Sequence, residues 1–105
     1  MKKILNGIRF DTEKAVLIGE SGSSGLSRSD FRFWEAGLYV TPRSGRYFLA
    51  GEGGAMTRFA QRVGDMTGGG SDILPMTKDE ALSWAEANLT TEEVEQHFAD
   101  MLEDA

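Results

Sequence analysis

The fold is decided by residues 31–54, Phe-Arg-Phe-Trp-Glu-Ala-Gly-Leu-Tyr-Val-Thr-Pro-Arg-Ser-Gly-Arg-Tyr-Phe-Leu-Ala-Gly-Glu-Gly-Gly. Phe31–Trp34 and Leu38–Thr41 are rich in aromatic and branched side chains, which suit a pleated surface. Pro42-Arg43-Ser44-Gly45 is a turn, with Gly45 suited to a left-handed backbone. Arg46–Ala50 then returns as the partner strand. Strand side chains alternate, so Leu38 and Val40 share the core face. On the partner strand the core set is either Tyr47 with Leu49 or Phe48 with Ala50.

Toward the N-terminus, Asn6-Gly7 is the preferred pair for a type I′ turn, and it predicts a hairpin over 3–10. Asp11 or Thr12 is placed to cap a helix over 12–19, docked by Val16 and Leu17. Serine and glycine dominate 19–29, which reads as a loop. Toward the C-terminus, Met56, Phe59, Ala60 and Val63 are spaced for one face of a helix over 55–63, which Gly64 would end. Gly68-Gly69-Gly70-Ser71 reads as a second loop, and 72–75 as a short strand. Thr77–Glu80 and Thr90–Glu93 are two capping boxes, predicting helices over 78–88 and 91–102. Leu82, Ala85 and Leu89 form one apolar stripe with Trp84 beside it; Val94, Phe98, Met101 and Leu102 form the other. The expectation is a single α+β domain over 1–105. A small antiparallel sheet packs against several helices, two of them consecutive at the C-terminus.

Composition narrows the chemistry. The 105 residues include no cysteine and one histidine, which excludes a disulfide scaffold, a thiolate zinc site, a cysteine nucleophile and a multi-histidine metal centre. No metal and no cofactor is expected. Eleven Lys and Arg face 17 Asp and Glu, for a net charge of −6. The charge is unevenly spread. Residues 71–105 hold ten acids and one base, a net −9, whereas residues 1–70 are net +3. Met1-Lys2-Lys3 is followed by only Ile4-Leu5 before Asn6-Gly7, so no secretory leader is read, and no apolar run suits a membrane span. The expected compartment is the cytoplasm. Asn88-Leu89-Thr90 matches a glycosylation sequon by chance.

No catalytic constellation emerges. His97 lies on the rim of the second apolar stripe, where a packing role is the simpler reading. No serine occupies a nucleophile elbow. Glu35 and Glu52 form a conceivable carboxylate pair whose separation the sequence does not fix. Gly51-Glu52-Gly53-Gly54 before a helix resembles an anion-binding start, yet it lacks the P-loop and dinucleotide signatures. The chain therefore reads as a binding protein rather than an enzyme. The first candidate surface is acidic: Glu86, Glu92, Glu93, Glu95 and Asp100 on the C-terminal helices, with Trp84 or Phe31 as apolar anchor. Spaced carboxylates on a rigid helix can occupy a basic groove built for phosphates. The alternative surface is Arg32, Arg43, Arg46 and Trp34, where arginine and aromatics interleave. The acidic balance argues against stable direct binding of nucleic acid.

Three segments carry a family resemblance. Ile4–Ala15, then Leu38-Tyr39 with Thr41 and Gly45–Gly54, then Ile73–Thr77 with Glu80-Ala81 and Trp84, resemble small proteins of phages and mobile elements of gut bacteria. In size and pattern the chain is similar to the type II-A anti-CRISPR proteins. That resemblance implies a non-enzymatic Cas9 inhibitor in the bacterial host cell, whose protein partner is a CRISPR effector nuclease. It carries over no functional residues. The second reading is a small mobile-element adaptor or regulatory protein, binding another protein or a nucleic acid through the arginine and aromatic hairpin. Oligomeric state is not legible.

Overall fold

Four antiparallel strands form the main sheet of this computed structural model, which describes residues 1–105 except for the side chain of Val63. Eight strands alternate with turns before two helices close the chain. β1 (Lys2–Leu5) and β2 (Ile8–Asp11) form the first hairpin. Its turn is Asn6-Gly7, both left-handed at φ 50° and 77°. β3 (Val16–Gly22), β4 (Trp34–Val40), β5 (Tyr47–Gly53) and β8 (Gly70–Met76) pair in that order as the main sheet. β6 (Gln61–Val63) and β7 (Met66–Gly68) make a small third sheet between β5 and β8. α1 (Lys78–Asn88) and α2 (Thr91–Phe98) follow, with one 3₁₀ turn over Ala99–Met101.

The register decides what each face buries. Leu38, Leu49 and Leu74 are partners across three strands and turn toward the helices. Tyr39 and Phe48 are partners one residue on, facing the first hairpin. The open choice on β5 resolves into both sets. Tyr47 and Leu49 pack under α1 and α2, while Phe48 and Ala50 pack with Phe10 and Ile73. Phe48 stacks on Tyr39 at 5.3 Å and meets Phe10 edge-on at 5.5 Å.

The expected fold class, a small sheet packed against several helices, is corrected by this architecture. The chain is mostly strand, with two short helices and three antiparallel sheets. The segment expected as a helix over 12–19 is a turn followed by β3. Its branched residues complete the edge of the main sheet, and the first four residues of the expected loop over 19–29 belong to the same strand. A bulge sets Ile18 beside Gly19 opposite Leu38, which sends the Ile18 side chain into the helical core. A side chain at Gly19 would meet Leu89 and Glu93 at 2.8 and 2.7 Å, so this glycine lets the α1–α2 junction close onto the sheet.

The segment expected as a helix over 55–63 is two successive turns and then β6. Thr57 donates its amide and its hydroxyl to the Gly54 carbonyl at 3.1 and 2.8 Å, and Ala60 donates to the Thr57 carbonyl. Only Phe59 of the expected apolar face is buried; Met56 is 72% exposed, and the Val63 side chain lies outside the described residues. No helix therefore follows Gly51–Gly54, and the anion-binding start falls with it. Gly54 instead permits close approach: a side chain there would lie 2.6 Å from the Phe31 carbonyl oxygen. β4 begins at Trp34, because Asp30–Phe33 closes a turn in which Phe33 donates to the Asp30 carbonyl at 3.1 Å.

This burial predicts a sharp contrast between two phenylalanines. Phe48 is fully buried and Phe31 is 66% exposed. Phe48→Ala is expected to cost about 3–5 kcal/mol of unfolding free energy, and Phe31→Ala within roughly 0.5 kcal/mol. Urea denaturation of both variants checks this.

Candidate docking surface

Each helix starts where its capping box places it. In the first box the Thr77 hydroxyl accepts from the Glu80 amide at 3.1 Å, and the Glu80 carboxylate accepts from the Thr77 amide at 2.8 Å. In the second, the Thr90 hydroxyl accepts from the Glu93 amide at 3.2 Å, and Glu93 accepts from the Thr90 amide at 3.0 Å. The acids of both first turns also favour the helix dipole. Ala81, Trp84 and Ala85 of α1 and Val94 and Phe98 of α2 turn inward. Phe98 stacks on Tyr47 at 5.5 Å.

The five acids expected on one surface divide by their partners. Glu93 is held by its capping box. Asp100 accepts from the Lys78 ammonium at 2.6 Å. That hydrogen bond holds the Asp100 carboxyl below the usual range and pushes the Lys78 amine up. Glu86, Glu92 and Glu95 are exposed and carry no ion pair among the described residues. Trp84 does not join them. It is 7% exposed and meets Trp34 edge-on at 6.4 Å, inside the helical core.

Between the helices runs a groove of about 610 Å³, and this is the feature that sequence reasoning missed. Its apolar lining is Leu82, Leu89, Val94, Met101 and Leu102. Glu86, Glu95 and Glu103 rim it. Each side of the groove takes residues from one of the two apolar stripes read in the sequence. Leu102, beyond the last helical turn and 41% exposed, was the residue in the sequence that could have signalled the groove.

The alternative surface is divided. Arg32 and Trp34 lie at the start of β4, whereas Arg43 and Arg46 lie in the turn beyond its end. Seven strand residues separate the two ends, about 20 Å at roughly 3.3 Å per residue. Arg32 is also occupied, donating to both carboxylate oxygens of Asp30 at 3.1 Å. Those bonds lower the Asp30 pKa and raise that of Arg32. Glu35 and Glu52 are direct cross-strand partners, and both accept from the guanidinium of Arg28, which ties the serine-rich loop to the sheet. His97 is half-buried in the last turn of α2. No group of three or more metal-ligating side chains occurs among the described residues, and none of the helices is long and apolar enough to cross a membrane.

No family model matches the chain, and neither a curated protein nor a solved structure matches it.

The first capping box yields a pH prediction. The Thr77 amide, then the Thr77 side chain, lower the Glu80 pKa by bonding its charged form. A depressed carboxyl stabilises the fold fully above the ordinary glutamate range, and the contribution is lost as pH falls through the lowered value. Thr77→Ala removes the hydroxyl and keeps the amide, so it is expected to move Glu80 only part of the way toward the usual range in an NMR titration and to lower the melting midpoint by a few degrees. An unmoved titration contradicts the Thr77 hydroxyl as a contributor to the shift.

Proposed function

We propose that this chain is a non-enzymatic binding protein that inhibits a bacterial defence nuclease by stoichiometric docking, with Cas9 as the first partner. One observation carries the reading. Glu86 and Glu95, neither with a counter-ion, stand with Glu103 around an apolar groove on the helical layer. Carboxylates around an apolar centre suit a partner that presents cations around an apolar contact. The rim supplies long-range attraction and orientation, and the desolvated centre supplies most of the affinity. A nuclease channel that binds DNA phosphates is such a cationic surface, and an acid-rimmed groove seated there excludes the DNA. Partner binding in this reading uses Glu86, Glu92 and Glu95, while Glu93 and Asp100 shape the helix ends.

The test is inhibition of guided DNA cleavage against the ratio of this protein to Cas9. Complete inhibition near equimolar ratio is expected. The triple reversal Glu86→Lys, Glu92→Lys, Glu95→Lys is expected to raise the half-inhibitory concentration by about tenfold or more. Reversal at Arg43 and Arg46 is expected to leave it unchanged. The opposite pattern, loss at the arginines and none at the acids, supports the adaptor reading instead. No inhibition at large excess removes Cas9 as the partner.

A further inference from the structure

A second groove, of about 380 Å³, lies at the far end of the main sheet, where the β2–β3 connection faces the β4–β5 turn. Its charged lining is Arg9, Lys14, Arg43 and Asp11. Four of the chain's eleven cations, Lys3, Arg28, Arg32 and Lys78, have carboxylate partners. Arg9, Lys14 and Arg43 have none among the described residues, although they share one groove. Asp11 is 7% exposed, and one of its oxygens accepts from the Glu13 amide at 3.0 Å. The lining therefore keeps an excess of two positive charges in a chain that is net −6.

Both walls are held by hydrogen bonds. Lys14 donates its amide to the Asp11 carbonyl at 3.2 Å. In the facing turn, the Thr41 hydroxyl accepts from the Arg46 amide at 2.9 Å and shares a 2.7 Å bond with the Ser44 hydroxyl. Gly45 donates to the Thr41 carbonyl at 3.1 Å. Lys14 and Arg43 thus project from ordered turns and Arg9 from β2, paired with Ile4 of β1, which limits the backbone entropy lost on binding. Like charges around one groove repel until an anion sits between them. Guanidinium forks match phosphate oxygens, and a phosphate dianion balances an excess of two.

We propose that Arg9, Lys14 and Arg43 form a binding site for a phosphoryl group. The site lies on different elements from the helical groove and does not depend on what that groove docks. The test is a titration with inorganic pyrophosphate followed by backbone NMR, with a second arm using short single-stranded DNA without terminal phosphates. Saturable shifts confined to residues 9–14 and 41–46 are expected with pyrophosphate. Lys14→Gln and Arg43→Gln are each expected to weaken it about tenfold. Arg58→Gln, an unpaired cation outside this groove, is expected to leave it unchanged. Arg43→Lys, which keeps the charge and loses the fork, is expected to fall between native and Arg43→Gln. Tighter binding of DNA at the same residues assigns the phosphoryl group to a nucleic acid backbone; tighter pyrophosphate assigns it to a small phosphate ester. Absence of localised shifts in both arms, or equal weakening by Arg58→Gln, overturns the site.

Discussion

Burial of β5 on both faces is the constraint from which the rest of the structure follows. Phe48 and Leu49 are adjacent in sequence, point to opposite sides and are both fully buried. A lone sheet cannot shield both, because each fully buried side chain of this kind gains about 1.5–3 kcal/mol only when its own face is covered. The helices cover Leu49 together with Leu38 and Leu74, and the first hairpin covers Phe48 through Phe10. The N-terminal ten residues and the C-terminal quarter are therefore two lids on one strand. The helical lid carries the acid-rimmed groove on its outside. The position of that groove is fixed by the contacts that bury Phe98 and Val94 beneath it.

The turn signal at Asn6-Gly7, both capping boxes and the apolar stripes of the two C-terminal helices survived folding, whereas the helix signals over 12–19 and 55–63 did not. Asn6-Gly7 makes its turn, and both capping boxes open their helices, because each device is completed by residues within a few positions. The segment at 12–19 carried a cap signal, but Val16 and Leu17 pair with Val40 and Tyr39 of β4, 24 and 22 positions away, which the local signal could not register. The 3.6-residue spacing of Met56, Phe59 and Ala60 was coincidental, since only Phe59 enters the core. Glycine at 51, 53 and 54 read as helix-start chemistry, while a side chain at 51 or 54 would meet the backbone of Glu35 or Phe31, and one at 53 would meet the Thr57 side chain.

Charge was legible as a count but not as an arrangement. The acidic C-terminal third was evident, and Glu86, Glu92 and Glu95 remain unpaired on its surface. That Lys78 reaches Asp100, 22 positions on, depends on how α1 and the final turn pack. Trp84 beside its stripe suggested an exposed anchor, and the Trp34 ring opposite draws it inward. Arg43 was grouped with Arg32 because they are close in sequence, whereas an extended strand carries them to opposite ends of the sheet. Folding instead brings Arg43 to Arg9 and Lys14.

The central claim is that the helical groove docks a cationic protein surface through its carboxylate rim. The salt dependence of Cas9 inhibition tests it most directly. Exposed rim charges are screened over about 10 Å at 0.1 M ionic strength and over about 3 Å at 1 M. The account predicts a steep loss of inhibition as salt rises, abolished in the Glu86, Glu92 and Glu95 reversal. Inhibition that is complete and unchanged by salt contradicts docking through those carboxylates.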